Sequence, residues 1–212
     1  MERGLKANMW SLKTFIVCYL DTNLIPRSKG IENPTKAIQF LLKELFELSR
    51  EDKITLRTAQ GSHEDIFGSN NEKINDQAVE RSKFMQLFTE PVAETILESN
   101  EDFSEDDIEL FNIMFSNDNK VATSENIFTH FLELSNNDKN DFRIIKSCIE
   151  DSNNYAFFLS LDKKAFIKGN KKENLEKFVS SKRRVSLTIG ELNPEMLDKI
   201  NEAIKDVSTL LP

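Results

Sequence analysis

Tryptophan, histidine and cysteine are nearly missing from this chain of 212 residues, which holds one, two and two of them, and glycine and proline are sparse at six and five. The two cysteines, Cys18 and Cys148, lie in apolar stretches and form no zinc-type spacing with His63 or His130, a pattern that fits a reducing cytoplasm. With so little glycine there is no Gly-rich phosphate loop. Long apolar runs are lacking too. The stretch Phe15 to Leu20 is far too short to span a bilayer and follows no cleavable signal pattern, so a soluble, cytoplasmic protein with no membrane partner is expected. Basic residues are outnumbered, 28 against 36 acidic, for a net charge of -8. That balance argues against a protein that simply coats a polyanion, while leaving room for an enzyme with basic residues gathered at one site. Phenylalanine is the plentiful aromatic, at 16 residues, but neither these nor Trp10 form a base-stacking series, so most are expected in the core.

The length suits one sizeable core rather than two independent domains. Thr14 to Leu20 is continuously apolar and rich in β-formers, which predicts a central parallel strand ending at Asp21. After Pro34 and Thr35, the positions Ala37, Ile38, Leu41, Leu42, Leu45, Phe46 and Leu48 recur at the three-to-four spacing of one helix face. Ile54 to Thr58 is β-prone again, so the opening reads strand, helix, strand, followed by a loop through Gly61. From about Gly68 to Ser135 the chain is acidic and Asn-rich, with apolar residues at helical spacing, and Ser104 before Glu105, Asp106 and Asp107 reads as a helix cap with a solvated face. Asn136 to Asn140 reads as a polar loop, and Asp141 as the opening of a helix burying Ile144, Ile145, Cys148 and Ile149. The strand Tyr155 to Ser160, a Lys-rich helical stretch, the strand Val185 to Ile189 and a helix from Pro194 to Ile204 complete the pattern. The fold class expected is α/β, doubly wound, with a mainly parallel central sheet flanked by helices and a helical insertion.

In such a sheet functional residues collect beyond the carboxyl ends of the strands. Asp21, Asp162 and, through its helix, Asp141 are expected there, with a fourth carboxylate, Glu64 or Asp65, after the second strand. An all-oxygen set of this kind suits Mg²⁺ or Mn²⁺, because hard cations prefer carboxylates and retained water. Each aspartate alone is equally explained as a turn or helix cap.

Taken in order, three motifs resemble those of the PIN-domain nucleases. Tyr19-Leu20-Asp21-Thr22-Asn23 looks like the family's opening strand and Asp-Thr-Asn, Asn140-Asp141-Phe142-Arg143-Ile144-Ile145 like its third acidic motif, and Leu159-Ser160-Leu161-Asp162-Lys163-Lys164-Ala165-Phe166 is similar to its closing motif. The resemblance covers about 13–67 and 138–205 and implies one PIN-like domain over 13–212, with 68–137 as a helical insertion or cap and 1–12 as an extension. It implies metal-dependent hydrolysis of phosphodiester bonds, most often in RNA, with DNA a further substrate. Asp21, Asp141 and Asp162, helped by Glu64 or Asp65, would hold one or two Mg²⁺ or Mn²⁺ ions, and Asn23 and Ser160 would orient a carboxylate, water or phosphate. Compact relatives often dimerise, and some are one half of a toxin-antitoxin pair, so a homodimer and a protein inhibitor or antitoxin are partners that the resemblance implies.

Lys163 and Lys164 lead a basic cluster running on through Lys168, Lys171, Lys172, Lys177, Lys182, Arg183 and Arg184, placed to contact phosphates. A solvated helix explains that cluster as well. His63 is read more simply as a loop histidine than as a group acting on the phosphate. A PIN-like scaffold that has lost catalysis and binds protein or RNA remains the alternative. A receiver-like phosphotransfer domain is disfavoured, since no acidic pair precedes Asp21.

Overall fold

The computed structural model describes residues 15–24, 35–59, 92, 96–115, 121–151, 155–183 and 186–210. Among these residues four strands form one parallel sheet: β1 (Ile16–Leu20), β2 (Thr55–Arg57), β3 (Tyr155–Leu159) and β4 (Ser186–Gly190), in the spatial order β2-β1-β3-β4. The register pairs Cys18 with Leu56 on one side and with Phe157 on the other, and Phe157 in turn with Thr188. Both faces of the sheet are covered, which is why its strands read as unbroken apolar runs rather than as alternating ones.

One face carries α1 (Lys36–Arg50) and α6 (Pro194–Leu210). Ile16, Cys18, Leu20, Leu56, Phe157 and Leu159 pack against Leu42 and Leu45 of α1 and Ile200 and Val207 of α6. Thr35 caps α1 by accepting from the Ile38 N–H at 3.3 Å. The opposite face carries α2 (Glu105–Phe115), α3 (Ile127–Glu133), α4 (Asn136–Asp151) and α5 (Lys171–Arg183). Tyr19, Ala156, Phe158, Leu187 and Ile189 point into this second core. At its centre Phe142 of α4 is buried among the rings of Phe103, Phe111, Phe115 and Phe131, with centroids 5.7–6.3 Å away. Five of the phenylalanines thus help fasten α2 and α3 to α4. Lys146 of α4, only 6% exposed, strengthens that attachment by donating to Asp107 of α2 and to Glu150, each at 2.6 Å.

The start of α4 differs from the sequence reading. Asn136–Asn140 is helix rather than loop, and Asp141 sits more than a turn inside α4 instead of opening it. The reason is a side-chain cap at Ser135. Its hydroxyl donates to Asp138 Oδ2 at 2.7 Å and accepts from the Asp138 N–H at 3.2 Å, while its carbonyl takes the first helical bond from Lys139 at 3.0 Å. The same Ser-x-x-Asp device starts α2, where Ser104 and Asp107 exchange bonds of 2.8 and 3.2 Å, as the cap reading of Ser104 anticipates. Ser135→Ala should therefore cost about 1 kcal/mol in a urea titration, with the slope unchanged. The remaining boundaries shift by a residue or two, except that α6 runs on to Leu210. Cys18 and Cys148 are free and buried, and burial pushes the Cys18 thiol far above its ordinary range. Among the described residues no helix is long and apolar enough to cross a membrane.

Candidate functional site at the carboxyl ends of β1 and β3

In the strand order found here the chain leaves β1 toward β2 on one side and returns as β3 on the other. The crevice beyond the carboxyl ends of β1 and β3 is therefore the topological switch point, where ligands of open α/β sheets bind. Asp21 and Ser160 are the first residues past those two strands.

Their backbones prolong the sheet. The Asp21 N–H donates to the Leu159 carbonyl at 2.9 Å, and the Ser160 N–H to the Gly190 carbonyl at 3.1 Å. The chain then closes a short 3₁₀ turn, Thr22–Leu24, with Leu24 N–H on the Asp21 carbonyl at 3.0 Å. This turn brings Asn23 back over the strand end. Asp21, 5% exposed, accepts at Oδ2 from Asn23 Nδ2 at 2.7 Å and from the Ser160 hydroxyl at 2.6 Å. Asn23 also donates to Ser160 Oγ at 3.2 Å and accepts from the Leu161 N–H at 2.8 Å, so it ties the two strand ends together. Ser160 is fully buried and is the node of this network, since its oxygen also accepts from the Asp162 N–H at 2.9 Å. Two donors on one carboxylate oxygen fix its orientation.

Asp162 is half-buried and does what a cap does. Its Oδ1 accepts from the Ala165 N–H at 2.9 Å at the head of a π-helical turn, Lys163–Ile167, which plants Phe166 against Phe158 with ring centroids 4.8 Å apart. Asp141 reaches the crevice from α4. Its carboxyl is pushed up to about 7, first by burial and then by the negative charges of Asp21, Asp162 and Asp138, with Lys171 pulling the other way. The structure thus brings Asp21, Asp141 and Asp162 into one electrostatic neighbourhood. Asp138 joins it, a residue assigned to a loop by sequence alone. The three-residue spacing to Asp141 places both on one helix face and becomes informative only once Ser135 is recognised as the cap. Lys171 at the start of α5 faces the same group: burial lowers its affinity for a proton, and Asp138, Asp141 and Asp162 oppose that.

Other expected site residues fare differently. Glu64, Asp65 and His63 lie outside the described residues. Lys163 is exposed and pairs with Glu191 at 2.7 Å, and Lys164 is exposed. Lys177 pairs with Glu173 at 2.7 Å, and Lys182 with Asp106 and Glu109 at 3.0 and 3.1 Å. Much of the basic cluster is thereby a set of surface ion pairs, whose partners a phosphate would have to displace. Arg184 lies outside the described residues.

The donor set is all oxygen and suits a hard cation, and its mutual repulsion is what a cation relieves. Among the described residues no three His, Cys, Asp or Glu side chains stand close enough to share one ion, so the common coordination shell expected of Asp21, Asp141 and Asp162 is not formed by them as they stand. Mg²⁺ does not require one. It keeps several waters and commonly takes only one or two carboxylates together with substrate phosphate. Compared with protein-family models, with curated proteins and with solved structures, the chain matches none of them.

Proposed function

We propose that this chain is a PIN-like, metal-dependent nuclease that hydrolyses phosphodiester bonds in RNA at the crevice between β1 and β3. The observation that carries the reading is that Ser160 ties the Asp21 carboxylate to the backbone of Asp162 at the carboxyl ends of the two central strands, with Asp141 of α4 in the field of both carboxylates. One or two of these carboxylates, with Glu64 or Asp65 as the further ligand the resemblance implies, would hold a Mg²⁺ or Mn²⁺ ion, which would supply a water of lowered pKa and neutralise charge on the phosphate. The chain's own side chains prepare the place. Asn23 and Ser160 hold Asp21 in one rotamer, and Ser160 couples it to the backbone of Asp162. Asp141, with a carboxyl near neutrality, gives up its proton when a cation binds, so binding should release protons around pH 7. Among the described residues Lys171 is a cation that acts on Asp141, and it limits the negative field that a phosphate meets.

A second reading, a PIN-like scaffold that binds RNA or protein without cutting, draws on the lack of a three-ligand group among the described residues. Incubation with single-stranded RNA in Mn²⁺ and in chelator, alongside Mn²⁺ calorimetry, separates the two. Cleavage in Mn²⁺ that stops with chelator is expected. Mn²⁺ binding or RNA binding without cleavage favours the scaffold, and cleavage indifferent to chelator defeats the metal site.

A further inference from the structure

The basic cluster that follows Asp162 sorts into two kinds by its partners. Lys163, Lys177 and Lys182 each end on a carboxylate at 2.7 to 3.1 Å, and Lys172 stands 3.9 Å from Glu176. Lys171 is different. It is half-buried, yet among the described residues it forms no ion pair and no side-chain hydrogen bond. What holds it is a ring: its Nζ lies over Phe115 of α2, 5.9 Å from the centroid. Phe115 packs in turn on Phe142, with centroids 6.3 Å apart, and Phe142 directly follows Asp141 in α4. The ammonium group is thereby placed against the helix that carries Asp141, where Asp138, Asp141 and Asp162 act on its charge and exposed Lys164 opposes them.

The backbone behind it is fixed as well. After the π-helical turn that Asp162 caps, the chain passes through Gly169 at a φ of +65°, a left-handed value that favours glycine, and enters α5. That helix is anchored where Glu176 Oε1 accepts from the Ile189 N–H at 2.8 Å, and again where Lys182 meets Asp106 and Glu109. Lys171 thus stands on a rigid element with its donors unspent beside the crevice. We propose that Lys171 takes a non-bridging phosphate oxygen of the RNA strand, which sets the scissile phosphate on the α4–α5 side of the crevice. The inference rests on the nuclease reading and adds to it the place of the substrate. An ammonium group binds phosphate as a point charge, and a carboxylate of the chain would have quenched it, as Glu191 does for Lys163. Three carboxylates oppose an anion until a cation is bound, so RNA should follow the metal ion.

The competing explanation is that Lys171 is a counter-ion that only offsets the carboxylates. Salt dependence separates the two. The full chain is titrated with a fluorescein-labelled oligouridylate at several NaCl concentrations, in Ca²⁺ so that binding is read apart from Mn²⁺-dependent cutting. Each phosphate contact on a single strand contributes about 0.7 to the slope of log K against log salt. Lys171→Gln is expected to lower that slope by about 0.7 and to weaken binding. Lys171→Arg should keep the slope, and Lys205→Gln, on α6 across the sheet, should leave it unchanged. Mn²⁺ calorimetry moves the other way: removal of a positive charge from the carboxylates' field should tighten ion binding about 2-fold, whereas a damaged fold weakens both ligands. An unchanged slope in Lys171→Gln overturns the proposal and, where Mn²⁺ still supports cutting, leaves the nuclease reading standing. An equal fall in Lys205→Gln overturns it too, by showing diffuse attraction. RNA that is bound with the expected change of slope but never cut sinks the nuclease reading while the contact survives, and a wild type that binds no RNA overturns both.

Discussion

Asp21→Asn is expected to lower metal-dependent RNA cleavage on the order of 10³-fold or more while leaving the circular dichroism spectrum unchanged. The substitution preserves shape. An asparagine carbonyl at this position still accepts from Asn23 and from the Ser160 hydroxyl, so the strand ends stay tied. What it removes is a negative charge whose orientation two donors have fixed, at a site that is 5% exposed and cannot borrow a replacement from solvent. Ser160→Ala tests the same point from outside the ligand set. It deletes one donor to Asp21 and the acceptor for the Asp162 N–H, and a loss of about 10- to 100-fold is expected for an orienting partner of this kind. Full activity in Asp21→Asn, in a preparation free of contaminating nuclease, would remove the crevice from consideration. Equal losses in the two variants, accompanied by altered spectra, would instead show that the network matters only to the fold.

Asp141→Asn is expected to stabilise the metal-free protein at pH 8, and the gain should vanish at low pH. The folded state holds this carboxyl at about 7 against an ordinary value of 3.8, so folding binds a proton between those values. Below pH 3.8 the side chain is neutral whether folded or not, and no penalty exists. Between pH 3.8 and about 7 the unfolded carboxyl ionises while the folded one, half-buried beside Asp21, Asp162 and Asp138, keeps its proton, so wild-type stability falls across that window and levels off above it. The full linkage is about 4 kcal/mol at 1.4 kcal/mol per pH unit, and screening of a half-buried group reduces it to about 2 kcal/mol. Urea titrations of the two proteins at pH 4 and pH 8 measure the difference directly. Saturating Mn²⁺ should reverse the order at pH 8, since a ligand at 100 times its dissociation constant stabilises the wild type by about 2.7 kcal/mol. A gain in Asp141→Asn that is the same at both pH values would mean that its carboxyl is not in the field of the others.

The parallel sheet could be read from the chain because strands buried on both faces become continuous apolar runs, as at Ile16–Leu20 and Tyr155–Leu159. Strand ends in turn locate Asp21 and Ser160, and the short polar side chain of Asn23 has few places to go but back over its own turn. The start of α4 was opaque for a physical reason. Asparagine and aspartate favour loops by local propensity, and only the reciprocal bonds of Ser135 and Asp138 outweigh that preference. The state of the lysines was opaque for another. Lys182 finds Asp106 and Glu109 across the α2–α5 contact, a pairing between residues far apart in sequence that no local pattern records. Lys146 is the extreme case, a buried cation whose partner Asp107 also serves as a helix cap.

The bond between Ser160 and Asp21 joins residues 139 positions apart, and β1 finds its central neighbour β3 only over a comparable span. Closing so large a loop costs entropy that only the completed sheet repays, so high contact order should make late assembly the slow step of folding. On the ribosome, β1, α1 and β2 would emerge and wait without their central partner. A chain interrupted anywhere before Tyr155 lacks β3, Ser160 and Asp162, so a truncated product holds Asp21 without the hydroxyl that orients it.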